Sequence, residues 1–304
     1  MTEIEKKVQE LKKIINESGI QAGDEIAMLE DKLSSRSKTD SVWKNVELAR
    51  HPDRPYALDY IKRIFDNFIE LHGDRAFGDD AAIVGGIAFL DSRPVTIIAN
   101  QKGRTLKENV MRNYGMAHPE GYRKALRLAK EAEIFSRPII TIIDTPGAYP
   151  GLESEERCIG ESIARNLREF SQLLTPVINI VIGEGGSGGA LGIGVGDKVF
   201  MLENAIYSVI SPEGCASILL RDTSKAKEAA EMLRITPKDL IDFNIIDGII
   251  PEPQGGAHTD PDWTSMKIKE MLIRELNDIC EKDTEELVCR RNNKIRAVGQ
   301  WNER

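Results

Sequence analysis

The chain has 304 residues, of which 41% are hydrophobic and 30% charged; these values are ordinary for a globular protein with one large domain or two small ones. Its net charge of -8 and pI near 5.3 argue against a dedicated nucleic-acid binder, because phosphate neutralisation needs a basic excess. The longest apolar runs, such as 177–182, fall far short of the roughly 18 to 20 residues that cross a bilayer, and the charged amino terminus is unlike a secretory signal. We therefore expect a cytoplasmic protein without a membrane span.

The cysteines give no sign of a metal site. They form no C-x-x-C pair and have no histidine at ligand spacing. We expect reduced structural thiols and no metal bound by this chain. The four are Cys158, Cys215, Cys280 and Cys289.

The first forty residues predict a helical hairpin. Apolar residues recur at helical spacing in two stretches, separated by the break at 17–24. A connector at 34–41 then marks a boundary, which divides the chain into a hairpin at 1–40, a main domain at 41–292 and a fraying or docked tail at 293–304. The periodic residues are Ile4, Val8, Leu11 and Ile15, then Ile26, Leu29 and Leu33.

The main domain predicts an α/β fold of repeated strand-strand-helix units. Its strands are continuous apolar runs, which indicates that both faces of the sheet are covered. One amphipathic helix, 121–136, should bury the face of Ala125, Leu128, Ala132 and Phe135. Strands are predicted at 83–90, 94–101, 138–144, 176–183, 198–202, 206–211 and 245–253; further helices at 158–174, 224–233 and 236–244; and a long carboxy-terminal helix around Ile268, Leu272, Leu276 and Ile279.

The glycine-rich stretch "GEGGSGGALG" at 183–192 admits three interpretations. The first is the dinucleotide motif G-x-G-x-x-G, with Glu203 near the position of a ribose acid. The segment that should form the crossover helix is short, however, and contains three further glycines, each of which costs about 0.5 to 1 kcal/mol in a helix. The motif glycines are Gly183, Gly185 and Gly188, and the further ones Gly192, Gly194 and Gly196.

The second interpretation is a serine-hydrolase elbow, since Ser187 stands in G-x-S-x-G between a strand and a helix. The base would have to be His258, the only downstream histidine. In the third, the main-chain amides of the glycine turn bind an oxyanion, and no side chain is required. A tight turn without a ligand is also compatible with the stretch.

A second loop favours the third interpretation. In "IIDTPGAYPGLESEE" the strand ends at Asp144 and glycines frame another turn before a helix. Two such loops one unit apart resemble the crotonase-like carboxyltransferase fold. The long stretches 99–151, 209–222 and 235–258 are similar to the carboxyltransferase alpha subunits of bacterial acetyl-CoA carboxylase, and the resemblance extends from the amino-terminal helices to about residue 280.

The resemblance implies a reaction and a set of partners. Family members transfer the carboxyl group of carboxybiotin, carried on a separate biotin carboxyl carrier protein, to acetyl-CoA, which gives malonyl-CoA for fatty-acid synthesis. A beta subunit with a zinc ribbon would supply most of the acetyl-CoA side, biotin carboxylase would complete the larger complex, and two alpha and two beta subunits would assemble. The absence of C-x-x-C and of a biotinyl-lysine motif "MKM" agrees with that division.

The resemblance also implies roles for particular residues. The amides of Gly189 and Ala190 would stabilise the ureido oxyanion of biotin, with Gly188 allowing close approach, so that Ser187 is a turn residue. The other expected substrate-binding residues are Gly147, Ala148, Tyr149 and Gly151 around a biotin channel, Gly185 and Gly186 beside it, and the basic Lys102 and Arg104, which would meet coenzyme A phosphates or an acidic carrier surface.

Several alternatives remain open on the residues alone. The basic stretch with Lys102 is equally compatible with a solvated loop, and His118 reads as a residue capping a helix. The chain fits a scaffold that acts only on assembly. It also fits an acyl-CoA hydratase or thioesterase, for which Glu184 and Glu203 are the candidate carboxylates.

Overall fold

The core of the protein is a mixed sheet of eight strands, seen in a computed structural model that describes residue 39 and residues 41–299. The sheet order is β1-β2-β3-β4-β5-β6-β8, and β7 pairs with the end of β5. The first three strands are antiparallel neighbours, whereas β3 to β6 run parallel. The strands are β1 Asp66–Glu70, β2 Ile83–Leu90, β3 Arg93–Asn100, β4 Ile139–Thr145, β5 Val177–Gly186, β6 Lys198–Leu202, β7 Ile206–Ser208 and β8 Gly248–Ile250.

The two central strands carry the site. Every residue of β4 is buried, as are the first seven of β5. Parallel strands covered by helices on both faces are expected to be apolar throughout, because no face meets water. The predicted α/β architecture of strand-strand-helix units is confirmed, and the fully buried strand β4 lies at the centre of the sheet.

The helices pack on both sides of this sheet and surround its carboxyl edge. They are α1 at 41–49, α2 Ala57–Ile64, α3 Leu106–Met111, α4 Pro119–Ile134, α5 Leu152–Glu156, α6 Ile159–Gln172, α7 Ser187–Leu191, α8 Pro212–Cys215, α9 Ala226–Leu233, α10 Pro237–Asp242, α11 Pro261–Ile279 and α12 Thr284–Ala297. The predicted amino-terminal hairpin at 1–40 lies outside the described residues, apart from residue 39.

Helix α4 shows where periodicity predicts packing and where it fails. Its start is fixed by Pro119 at the first helical position, where the missing N–H costs nothing. Ala125, Leu128 and Ala132 are buried as predicted, but Phe135 is 62% exposed, so its assignment to the buried face is wrong. The helix ends at Ile134 and Phe135 is its cap; beyond the last turn the helical period no longer sets the direction of the side chain.

Two predicted strands are shorter than their apolar runs. The run 206–211 forms only Ile206–Ser208, because the Ser208 hydroxyl donates to the Ile210 carbonyl and the chain turns towards Pro212, the first residue of α8. Likewise only Gly248–Ile250 of the run 245–253 pairs in the sheet. By contrast, β5 extends to Gly186, through the first glycines.

The predicted tail begins inside a docked helix. Residues 284–297 form α12, so the boundary set at 292 falls within a continuous element. Its anchor is Arg291, fully buried, which binds both oxygens of Asp197 at 2.9 and 2.7 Å. The same guanidinium donates to the main-chain carbonyls of Phe170, Leu173 and Thr175. This end of the chain is therefore held to α6 and to the loop before β6.

We expect Arg291→Met to lower the free energy of unfolding by about 3 to 5 kcal/mol, because it leaves Asp197 and three carbonyls without their buried donor. Urea unfolding measures the change. Arg290→Met is the matched control: its side chain is 61% exposed and pairs with Glu286 one turn away, so it should cost less than about 1 kcal/mol. Equal effects of the two substitutions would contradict the anchoring role.

Candidate active site

The two glycine loops meet at the carboxyl edge of the sheet. Strands β4 and β5 are parallel neighbours with Thr145 opposite Gly185, so the loops that follow them start side by side. A Cβ on Gly186 would lie 2.1 Å from the carbonyl oxygen of Pro146, and one on Gly189 would lie 2.3 Å from the carbonyl carbon of Gly147. The loops are thus in contact backbone to backbone, which only glycine permits.

The second loop turns at once into the short helix α7. Ser187 has a positive φ of 47°, a backbone conformation that side chains rarely adopt, and begins the helix after the strand residue Gly186. The first amides of a helix have no acceptor within it. Gly188 and Gly189 occupy two of these positions. Ala190 is the fourth residue of the helix, so the acceptor of its N–H within the helix is the carbonyl of Gly186.

A cleft of about 270 Å³ opens beside the two loops. Pro146 and Glu184, which lie near the starts of the two loops, form the floor of the cleft. A small adjoining recess of about 30 Å³ reaches Gly185 and Gly186 and shares three residues with the cleft. The full lining of the cleft is Ala49, Arg50, His51, Tyr56, Lys102, Asn109, Tyr114, Pro146 and Glu184.

Alternating charges cross the floor of this cleft. Lys102 Nζ donates to Asp144 Oδ1 at 2.7 Å and to Glu184 Oε2 at 3.1 Å. Arg50 binds the other oxygen of Glu184 at 2.7 Å and then Glu213 at 2.6 Å. Asp144 Oδ1 also accepts the main-chain N–H of Glu184 at 2.9 Å. This cluster of five residues, the floor network, ties the ends of β3, β4 and β5 to helices α1 and α8.

The floor network favours the ionised form of Glu184. Burial by itself would raise the pKa of Glu184, but the positive charges of Lys102 and Arg50 and their hydrogen bonds lower it overall. The pKa of Lys102 is raised, because the attraction of Asp144 and Glu184 outweighs the burial of its ammonium group. One glycine makes room for this arrangement: a Cβ on Gly183 would lie 2.5 Å from Asp144 Oδ1.

The predicted site residues fall into two groups. The cleft and its recess bring together Lys102, Gly185 and Gly186. Arg104 lies outside their lining: it binds Asp59, donates to the Pro52 carbonyl and stacks over the ring of Tyr56 at 4.0 Å.

The remaining loop residues pack among themselves. Gly147 and Ala148 make the backbone contact with Gly189. The ring of Tyr149 packs against the ring of His118, with centroids 4.2 Å apart. A Cβ on Gly151 would collide with the Tyr149 ring. The predicted approach of Tyr149 to a biotin ring stays a prediction.

Several residues of the cleft escape prediction from the sequence. Arg50, His51 and Tyr56 lie in "ARHPDRPY", where the density of Arg, His, Pro and Tyr is the only local signal. Asp144 and Glu184 are recognisable as acids at strand ends, but their pairing with Lys102 joins positions 42 and 82 residues apart. No sequence period links such residues.

The two other interpretations of the glycine stretch find little support in the geometry. The helix that begins inside the motif, Ser187–Leu191, has only five residues, too few for a dinucleotide-binding crossover. Ser187 does stand on a strained strand-to-helix turn, yet among residues 41–299 no histidine is hydrogen-bonded to it. His118, the residue before α4, pairs with Ser154 at 2.9 Å, and His258 stacks on His51.

Comparison with known proteins places the chain in a family. The family described as acetyl co-enzyme A carboxylase carboxyltransferase-like matches residues 1–299. A relative from Treponema denticola, the acetyl-coenzyme A carboxylase carboxyl transferase subunit alpha, is 62% identical over 293 residues, 96% of each chain. The protein of the same name from Fusobacterium nucleatum is 53% identical over 306 residues, 99% of this chain and 97% of its own.

The chain belongs to this family. The resemblance inferred from the sequence is thereby confirmed, and the protein is a carboxyltransferase subunit.

Solved structures show the same fold at low sequence identity. Transcarboxylase 12S with methylmalonyl-coenzyme A bound superposes with a TM-score of 0.61 at 22% identity, over 74% of this chain and 41% of that one. A Pseudomonas malonate decarboxylase hetero-tetramer in complex with coenzyme A gives 0.59 at 17% identity, over 73% and 89%. The crotonase-like fold expected from the two glycine loops is confirmed.

The described part of the chain contains neither a metal cluster nor a membrane-spanning helix. Within residues 41–299, no group of three or more His, Cys, Asp or Glu side chains is arranged to hold a metal ion. In the same part of the chain no helix combines the length and apolar character that a membrane crossing requires. Cys215 is buried, whereas Cys158, Cys280 and Cys289 are exposed.

We expect Lys102→Met to destabilise the folded state by about 3 to 5 kcal/mol at pH 7.5, since Glu184 and Asp144 lose their shared countercharge. The wild-type stabilisation by ionised Glu184 is present above its unfolded pKa of 4.5 and disappears as the pH falls through the lower folded pKa. The difference between variant and wild type should therefore shrink towards pH 4. Urea unfolding at both pH values measures it.

Lys107→Met supplies the control for that experiment. Lys107 is exposed on helix α3, five residues along the same segment, and its removal should change the free energy of unfolding by less than about 0.5 kcal/mol. A Lys102→Met penalty as large at pH 4 as at pH 7.5 would contradict the electrostatic role of the floor network.

Proposed function

We propose that this chain is the alpha subunit of an acetyl-CoA carboxylase carboxyltransferase and, with a beta subunit, transfers the carboxyl group of carboxybiotin to acetyl-CoA. The product is malonyl-CoA for fatty-acid synthesis. The biotin arrives on a separate carrier protein that biotin carboxylase charges, and the zinc-ribbon beta subunit provides most of the acetyl-CoA site. We further propose an assembly of two alpha and two beta subunits in the cytoplasm.

The observation that carries the proposal is the contact between the two glycine loops beside the cleft. The reaction develops negative charge at two oxygens. Loss of carbon dioxide from carboxybiotin leaves charge on the ureido oxygen, and removal of a methyl proton turns the acetyl thioester into an enolate. Preorganised N–H groups stabilise such charge most effectively, because they need no reorganisation during the reaction.

The loop geometry provides donors of this kind. The Gly186–Pro146 and Gly189–Gly147 contacts hold the first turn of helix α7, whose leading amides lack acceptors within the helix. We assign the ureido oxyanion to amides of the segment Gly188–Ala190, and the position of Ala190 in the helix favours Gly188 and Gly189 as donors. The biotin anion accepts the methyl proton itself, so the chain needs no basic side chain for that step.

The floor network argues against an acyl-CoA hydratase or thioesterase. A catalytic carboxylate in such an enzyme needs a free oxygen and a pKa suited to proton transfer. Both oxygens of Glu184 are held by Arg50 and Lys102, and its pKa is lowered. Glu203 uses one oxygen to accept the amide of Glu252 at 3.2 Å. Glu184 is therefore not a poised base, and Glu203 lies outside the lining of the cleft and its recess.

Reconstitution tests the proposed division of the enzyme. Malonyl-CoA decarboxylation in the presence of biocytin, the reverse half-reaction, is measured for this chain, for the beta subunit and for the mixture. We expect activity only in the mixture, because each subunit supplies one part of the site. No activity in any combination, with both proteins folded, would overturn the carboxyltransferase proposal, and activity of this chain alone would overturn the shared site.

Alanine substitutions of three glycines test the loop contact. A Cβ on Gly189 would lie 2.3 Å from Gly147, whereas one on Gly188 meets only Ile163 at 3.5 Å, an ordinary contact. We expect Gly189→Ala to lower kcat in the mixture about a hundred- to a thousandfold, because the clash with Gly147 displaces the Gly189 amide and the loss of one oxyanion donor costs about this much. Gly188→Ala should have a much smaller effect.

Gly160→Ala is the control outside the site. It lies on helix α6 with no atom within 4 Å of the added methyl group, and the helix should gain about 0.5 to 1 kcal/mol. Activity of the three variants is compared at equal complex formation, checked by size-exclusion chromatography. If Gly189→Ala retained activity within about threefold of Gly160→Ala, the loop contact would have no role in catalysis.

A further inference from the structure

His51 lines the cleft but is not a member of the floor network. It lies in the turn after helix α1, which closes through hydrogen bonds from the His51 amide to Leu48 and from the Arg54 amide to the His51 carbonyl. The side chain is half-buried and lines the same cleft as Lys102 and Glu184.

One hydrogen bond fixes the protonation of the ring. The main-chain N–H of Asp53 donates to His51 Nδ1 at 3.2 Å. Because Nδ1 accepts this N–H, the N–H of the ring itself is on Nε2. Nε2 has no hydrogen-bond partner among residues 41–299. The ring therefore presents an unused N–H donor at the cleft wall.

A second histidine holds the ring in place. The rings of His51 and His258 stack with centroids 3.8 Å apart and planes 10° from parallel. Burial of His258 lowers the pKa of its imidazole, which favours an uncharged ring against His51. The orientation of His51 is therefore set by the stack on one face of its ring and by the hydrogen bond to Nδ1 within its own turn.

The stacking partner is fixed by a buried ion pair. Glu252 accepts the amide of Ala257, next to His258, at 2.7 Å. Glu252 in turn binds Arg54, only three residues after His51. Both histidines are thus attached to the same Arg54–Glu252 pair. A ring held this firmly can direct a hydrogen bond with little loss of conformational entropy.

We propose that His51 binds substrate by donating the Nε2 hydrogen bond to a carbonyl oxygen in the cleft. This inference rests on the proposed carboxyltransferase function. The acceptor is an uncharged carbonyl or the oxyanion it becomes, either the thioester oxygen of the acyl-CoA or the ureido oxygen of biotin. An N–H donor suits both, because each of these oxygens gains negative charge during the reaction.

Three substitutions of His51 test the donor. Each is assembled with the beta subunit, and malonyl-CoA decarboxylation is measured with biocytin. Gln places an amide N–H near the position of Nε2, Phe keeps the ring on His258 without a donor, and Asn places its amide near Nδ1 instead. We expect His51→Phe and His51→Asn to lose about ten- to a hundredfold in kcat/KM, the range of one directed hydrogen bond, and His51→Gln to stay within about fivefold.

Kinetics with each substrate varied in turn identifies the acceptor. A loss in kcat/KM for malonyl-CoA alone assigns the thioester oxygen, and a loss for biocytin alone assigns the ureido oxygen. His72→Phe is the matched control: it pairs with Asp79 at 2.9 Å, outside the lining of the cleft, and should leave both constants unchanged.

Other results would overturn the proposal. Full activity of His51→Phe would show that no donor is needed, and equal losses in His51→Gln and His51→Asn would show that the position of the N–H is irrelevant. If the His51→Phe variant fails to assemble with the beta subunit, the difference in kcat/KM between His51→Gln and His51→Asn tests the proposal by itself. An inactive wild-type mixture would instead refute the proposed function, which separates the two conclusions.

Discussion

The buried ion pair of Arg54 and Glu252 is the interaction on which the site depends. Its side chains are 1% and 0% exposed, and Arg54 Nη1 lies 3.0 Å from Glu252 Oε2. Removing two charges from water costs several kcal/mol each, so such a pair is tolerated only when every remaining donor and acceptor is used. Here the guanidinium also donates to the carbonyls of Leu48 and Ile182, and the carboxylate also accepts from Asn204 and Ala257.

These secondary bonds explain why the pair matters to the cleft. Ile182 is the last residue before the glycine-rich turn, Leu48 lies in helix α1 near its end, and Ala257 precedes the histidine that supports His51. One pair of charges therefore positions the origin of an oxyanion loop and two segments of the cleft wall. Its value is geometric: a well-packed apolar pair of the same volume would be at least as stable, but it would direct none of these main-chain groups.

The floor network also combines ion pairs with hydrogen bonds to the main chain, but it lies closer to the solvent. Lys102 and Arg50 keep Glu184 ionised, and Asp144 accepts both the lysine and the amide at the start of the turn. The two networks are adjacent along β5, since the first ends at Ile182 and the second at Glu184. Together they fix the direction in which the chain leaves the sheet, and the short helix α7 follows from that direction.

The sequence was informative where one segment determines its own structure. Strand β4 and the body of β5 were predicted closely because a strand buried on both faces must be apolar along its whole length, and "KVFML" at 198–202 matches β6 residue for residue. The glycine loops were recognisable because main-chain contact leaves no room for side chains.

The sequence did not predict contacts between side chains that lie far apart along the chain. Arg291 in the presumed tail was unremarkable until Asp197, 94 residues earlier, supplied its partner. Phe135 was misplaced because the helix stops one residue before it. His51 and Arg50 lie in a loop whose periodicity gives no direction for their side chains, so only the fold shows that they face Lys102 and Glu184.

The separation of Arg54 from Glu252, 198 positions along the chain, has a consequence for biosynthesis. A ribosome releases the glycine loops well before Glu252 appears, so during that interval Arg54 has no carboxylate to bind. Contacts between remote positions close late, because the entropy of a long loop must be overcome first. The sheet can therefore assemble around β4 and β5 before this pair forms, and the cleft wall at Arg54 gains its support only after Glu252 has emerged.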